Sequence, residues 1–142
     1  MRLKRIIRAL ALRMSMSNFL PNSLRLKLVR WGGECGKSFV GQQVIFDSEH
    51  PENIEIGDYC AIIMRCILLN THYVVPRGKY HDYEYGKIKI GNNVFLGANT
   101  IITKSVTIGD NVIVGAGSIV TKDIPSNEIW AGVPARFIKK YN

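Results

Sequence analysis

Three histidines, His50, His72 and His81, carry the side chains of this sequence that titrate nearest neutral pH, which makes them the candidates for acid-base work. His72 closes the run LLNTH, between an apolar stretch and the polar, aromatic and basic stretch THYVVPRGKYHDYEYGK. His50 lies in EHPEN, which has the composition of a turn, and His81 lies inside the polar stretch. The cysteines, Cys35, Cys60 and Cys66, are odd in number and include no Cys-x-x-Cys pair, so they are read as reduced thiols.

The elements that must position these residues announce themselves by a repeat. Written in sixes from Ile90 the chain reads IGNNVF, LGANTI, ITKSVT, IGDNVI, VGAGSI, VTKDIP, which sets Ile90, Leu96, Ile102, Ile108, Val114 and Val120 in one register. Four residues after each stands a small or β-branched residue: Val94, Thr100, Val106, Val112, Ser118 and Ile124. Neither the helical period nor strand alternation gives a beat of six. A coil with three flat sides does, each coil stacking on the one before, 18 residues on. The register extends back through Ile56, Ile62 and Leu68, with Cys60 and Cys66 at the second position, so both thiols are expected to point inward as core. Cys35 stays undecided. Phe39, Val40, Val44, Ile45 and Phe46 form an earlier, less regular coil, and Gly91, Gly97, Gly109 and Gly115 are assigned to turn geometry.

Composition fits one compact unit: 142 residues, 46% hydrophobic and 21% charged. The apolar run Ala9 to Leu12 is closed in by Arg8 and Arg13 and is too short to span a bilayer. The net charge of +8 is uneven, since eight basic residues precede Glu34, the first acidic one. Charge confined to one end points to an anionic surface, a membrane face or an acidic partner rather than nucleic acid; a solvated helix face is the plain alternative. Residues 1–33 are read as a basic, partly helical segment, with a helix in the first fourteen residues and a second helix or a strand after Pro21. Residues 34–142 are read as the coil, interrupted by a protruding loop at about 70–87, the place on a rigid solenoid where function is expected.

Taken in order, IEIGDYCAI, NTH ahead of the loop, IKIGNNVFLGANTII, VTIGDNVIVGAGSIVTKDIP and AGVPARFIKK resemble the hexapeptide-repeat acyltransferases. Within them they resemble the maltose, galactoside and polysaccharide O-acetyltransferase branch, over roughly Gly36 to Tyr141. The resemblance implies an all-β, left-handed parallel β-helix, against the usual right-handed crossover rule, and a homotrimer with active sites between subunits. It implies acetyl-CoA as acyl donor and a sugar hydroxyl as acceptor, in surface polysaccharide biosynthesis. His72 matches the position of the base, which such chemistry needs because a hydroxyl is a poor nucleophile until its proton is removed. The backbone N–H of Ala98 is the implied oxyanion donor. For CoA the resemblance points to Ala116 through its backbone, Thr121, Lys122, Arg136 and Lys139; cations there suit a polyphosphate. Asp47 looks like the acidic residue that contacts the sugar, though an ordinary turn aspartate explains it equally. Tyr73 and Arg77, with Lys79, His81, Tyr83 and Tyr85, populate the loop where a glycan or the CoA phosphates would lie. Trp130 stands either on the adenine or as a cap on the last coil.

Two other readings compete: a non-catalytic scaffold that docks through its basic end, and a γ-class carbonic anhydrase, which shares the coil but binds zinc through three histidines, two of them close together within the repeats; His50, His72 and His81 lack that placement, so no metal is expected. Serine acetyltransferases and lipid A acyltransferases carry helical domains with no counterpart here. The expected location is cytoplasmic, at the inner face of the membrane if the basic segment makes peripheral contact with it.

Overall fold

A computed structural model describes residues 2–15, 34–47, 50–74 and 82–141. The segment after Pro21, together with Arg77, Lys79 and His81, lies outside the described residues. From Glu34 the chain winds a left-handed parallel β-helix of triangular section. Face one stacks Glu34–Cys35, Ile54–Ile56, Ile88–Ile90 and Val106–Ile108; face two stacks Phe39–Val40, Ala61–Ile62, Phe95–Leu96, Ile113–Val114 and Glu128–Gly132; face three stacks Ile45–Phe46, Ile67–Leu69, Ile101–Thr103 and Ile119–Val120.

The six-residue beat is the core. Ile56, Ile90 and Ile108 are in parallel register on face one, Val40, Ile62, Leu96, Val114 and Trp130 on face two, and Phe46, Leu68, Ile102 and Val120 on face three, all buried. Fully burying one such aliphatic side chain stabilises by about 1.5–3 kcal/mol. The second set fills the corners: Val94, Val106, Val112 and Ile124 are buried, as are Cys60 and Cys66. Thr100 and Ser118 are the polar members, and their hydroxyls donate to the carbonyls of Gly97 (2.7 Å) and Gly115 (2.6 Å). Burial therefore leaves neither hydroxyl unpaired.

The turn reading of the glycines needs correction. The left-handed backbone falls on Asn93 and Asn111, two of the residues expected at the turns, and on Gln43, Tyr59, Arg65, Asn99, Lys104, Gly117 and Asn127, not on Gly91, Gly97, Gly109 or Gly115. Asparagines also bridge coils: the Asn93 amide donates to Oδ1 of Asn111 (3.2 Å) and the Asn111 amide to Oδ1 of Asn127 (2.9 Å). The glycines are small because the coils touch there. A Cβ on Gly97 would stand 2.5 Å from the Ala116 nitrogen.

Two insertions stretch the 18-residue step. Val40 to Ile62 spans 22 residues because Pro51–Asn53 forms a short 3-10 turn, against which helix α1, Arg2–Ser15, packs. Ile62 to Leu96 spans 34 residues because the chain leaves the corner between faces three and one. That excursion was expected as a loop; its described part is instead an antiparallel hairpin of Thr71–Val74 and Asp82–Tyr85. At the far end Ala135–Lys140 returns antiparallel on Glu128–Gly132. Trp130 extends the face-two column and is buried, as a cap on the last coil requires, and the Lys122 ammonium lies 5.3 Å above its ring.

Candidate active site

The hairpin is pinned to the coil at both ends. Asn70, fully buried, accepts the Gly86 N–H at its carbonyl (2.6 Å), which ties exit to return, and its side-chain amide donates to the His50 carbonyl (2.8 Å). Asp47, one coil below, accepts the Thr71 N–H through Oδ2 (2.9 Å). The His50 ring packs edge-on against Tyr85, centroids 4.1 Å apart, while its Nδ1 lies 3.1 Å from Glu52. His50 is thus a buttress of the hairpin.

His72 stands directly across the hairpin from Glu84, and its Nε2 lies 3.0 Å from the Glu84 carboxylate. The histidine side chain is 26% exposed and that of Glu84 66%, so the pair faces outward. Nδ1 is buried and unpartnered among the described residues, as are Oδ1 of Asn70 and Oγ1 of Thr71. Three successive residues therefore each bury an unpaired polar atom, which natural interiors rarely tolerate away from functional sites. Glu84 and Asn70 were not singled out in the sequence. Asn70 is signalled by the NTH motif; Glu84 has no signal until hairpin register is known.

The other predicted residues divide between two edges of the coil. Ala98 sits at the corner between faces two and three, and its carbonyl accepts the Gly117 N–H (2.8 Å). Its N–H meets no acceptor among the described residues, but neither do those of Met64 and Ala116 at the same corner of other coils. An open N–H is thus a property of the corner. Ala116 stacks over Ala98, and Arg136, paired with Ala131, continues that edge. Thr121 and Lys122 are exposed on the opposite edge of face three, at the corner from which the His72 hairpin departs. Lys139 pairs with Ile129 at the start of the last face-two strand. Tyr73 pairs with Tyr83 in the hairpin, and Arg77 lies outside the described residues.

One chain does not bring His72 and Ala98 together. The register of Ile67–Leu69 on Ile101–Thr103 sets Ala98 before face three begins and His72 after it ends. At about 3.3 Å per strand residue the two are separated by on the order of 10 Å or more. Among the described residues no group of three or more His, Cys, Asp or Glu is placed to hold a metal ion.

A triangular coil of hexapeptides, with an imidazole and a carboxylate on a hairpin at its edge, is the architecture of a hexapeptide-repeat acyltransferase. Residues 87–122 match the family model described as the hexapeptide repeat of succinyl-transferase. Over 137 residues the chain is 40% identical to Protein CapG of Staphylococcus aureus, covering 94% of this chain and 78% of that protein. It is 60% identical over 94 residues to galactoside O-acetyltransferase of Escherichia coli K12, 63% of this chain but 45% of that one, so the match spans less than half of that relative. Among solved structures, a maltose O-acetyltransferase from Clostridium difficile 630 superposes with a TM-score of 0.75 at 29% identity, covering 99% of this chain and 88% of that one. A galactoside acetyltransferase in complex with coenzyme A gives 0.70 at 30% identity, covering 99% and 82%. The chain belongs to the hexapeptide-repeat acyltransferases. Its class is that of the acetyl-CoA-dependent O-acetyltransferases.

Proposed function

We propose that this enzyme moves the acetyl group of acetyl-CoA to a sugar hydroxyl, in the building of a surface glycan, with His72 as general base. The observation that carries the assignment is the His72 imidazole held on a pinned hairpin, one nitrogen buried and the other turned toward an exposed carboxylate. A hydroxyl entering at Nε2 takes the place of Glu84, gives its proton to the ring and attacks the thioester carbonyl. The Ala98 N–H meets the developing oxyanion. Collapse expels the CoA thiolate, which recovers the proton from the imidazolium, and Glu84 stands beside that cation while it lasts. Asp47, Tyr73 and Arg77 are assigned to the acceptor sugar. Ala116, Thr121, Lys122, Arg136 and Lys139 hold CoA.

This reading needs a second copy. His72 and Ala98 end opposite edges of face three, so a base from one subunit must meet an oxyanion donor from its neighbour. The outward residues support association. Face one shows Glu55, Lys89 and Thr107, whereas face two shows Phe39, Ala61, Phe95, Ile113 and Ile129, and face three Ile45, Ile67, Ile101 and Ile119. Two different apolar faces per chain are what a closed ring with head-to-tail contacts uses, and a homotrimer is the assembly we propose. The donor, a CoA thioester, carries with it a cytoplasmic location.

The test is release of CoA thiol from acetyl-CoA, screened over sugars, nucleotide-sugars and glycan fragments. An acceptor that stimulates release defines the substrate class. With that acceptor, His72→Ala lowers kcat by about a hundredfold or more. Unchanged transfer would remove His72 from the mechanism.

A further inference from the structure

Helix α1 presents a feature that folding alone does not explain. Leu3, Ile6, Leu10 and Met14 recur at helical spacing along one side and are each 49–69% exposed. The neighbouring strip is what attaches the helix: Ala11 is buried and Ile7 half-buried, and the helix packs on the Pro51–Asn53 turn. The coil therefore holds α1 with its apolar stripe turned outward. The same helix carries Arg2, Lys4, Arg5, Arg8 and Arg13 and no acidic residue. Cations in its first turn oppose the helix dipole, so an anionic contact there is favourable.

We propose that α1 docks the protein onto an anionic lipid surface, its Leu3–Ile6–Leu10–Met14 stripe entering the headgroup boundary and its cations meeting the headgroup charges. Charge decides the occupant. A second α1 would bring the same five cations, and the chain from Glu34 onward carries eleven basic and eleven acidic residues, so another copy brings no net negative charge to meet them. A nucleic acid would neutralise the arginines and leave the stripe in water. A bilayer with anionic headgroups answers both features. The helix lies on the surface rather than crossing it: among the described residues no helix is long and apolar enough to span a membrane, and 14 residues reach only about 21 Å.

The test is co-sedimentation of the full chain with vesicles of phosphatidylcholine alone and with about a third phosphatidylglycerol, beside analytical ultracentrifugation of the same samples. It requires no substrate, so it stands or falls apart from the enzymatic reading. The wild type should bind the anionic vesicles, and bind phosphatidylcholine at least roughly tenfold more weakly. Ile6→Glu with Leu10→Glu, on exposed positions, should weaken anionic binding roughly tenfold or more with CoA release and oligomeric state unchanged. If that pair fails to fold, Arg5→Gln with Arg8→Gln should weaken it in the same direction. Absence of wild-type binding, equal binding to both vesicles, or binding indifferent to the substitutions overturns the proposal. So does a change of oligomeric state in the Glu variant with vesicle binding intact, which would assign the stripe to another copy of the chain.

Discussion

At the scale of the residue, the arrangement around His72 commits the ring before any substrate arrives. Nδ1 is buried without a partner among the described residues, while Nε2 meets a carboxylate. For Nε2 to act as base, the ring must carry its proton on Nδ1, and the acceptors unpaired in the same segment are Asn70 Oδ1 and Thr71 Oγ1. In the proposed mechanism Glu84 acts through the imidazole rather than on the substrate, which makes it a positioning residue. Glu84→Gln keeps the shape and a hydrogen-bonding group but removes the charge, and should lower kcat about tenfold with the KM for acetyl-CoA unchanged. In the His72→Ala background the same change should do nothing further, because the group it serves is gone. A double-mutant cycle measures this, and additive effects would detach Glu84 from His72. His72 was legible in the sequence because it ends an apolar run beside the break in the repeat. Glu84 was not: a polar stretch in which tyrosine, histidine and acidic residues intermix does not disclose which residue faces which, and hairpin register decides that.

At the scale of the element, the hexapeptide is a spacing device as much as a core. The inward columns follow from the six-residue beat alone, which is why most of the coil could be read before any coordinates. What the beat does not reveal is how close one coil lies to the next, and so glycines that serve coil contact were taken for turn residues. Gly97→Ala measures the difference. Its Cβ would meet backbone atoms of Gly115 and Ala116 at 2.5–2.9 Å, and backbone cannot swing aside like the end of a side chain. Denaturant unfolding should show a loss of about 1–3 kcal/mol, with activity falling as well because Ala98 adjoins the change. The cysteines give the opposite case, in which the sequence reading and the structure agree. Burial pushes both the Cys60 and the Cys66 thiol up from the ordinary range, more than their hydrogen bonds pull them down. An upward shift means that folding opposes ionisation. Nothing is lost below the ordinary thiol value, and as pH rises past it the unfolded chain gains relative to the native one. In a Cys35→Ser background a chromogenic disulfide reagent at mildly alkaline pH should therefore titrate neither thiol promptly in the native protein and both in guanidinium.

At the scale of the whole molecule, the decisive property is that a rigid coil keeps the His72 edge and the Ala98 edge apart. Flexing cannot close that gap, since face three lies between them with its inward side chains fully packed. The spacing of His72 and LGAN, some 26 residues apart, does not disclose this separation; the family resemblance implied sites between subunits, and the corner that each residue occupies supplies the physical reason. The consequence is testable with two inactive enzymes. His72→Ala lacks the base and keeps the donor edge; Ala98→Pro lacks the backbone N–H and keeps the base. Each alone should be nearly inactive. Unfolded together in equal amounts and refolded, they assort into trimers of which six in eight orders are mixed. Every mixed trimer has one interface in which an intact His72 faces an intact Ala98 edge, and one in which both are lost. Activity should return to about a quarter of the wild-type value per chain. Should Ala98→Pro not assemble, Gly97→Ala serves as the donor-edge partner, with recovery scaled to its own residual activity. Recovery confined to the average of the two parents would place base and oxyanion donor within a single subunit, and the apolar faces two and three would then need another purpose.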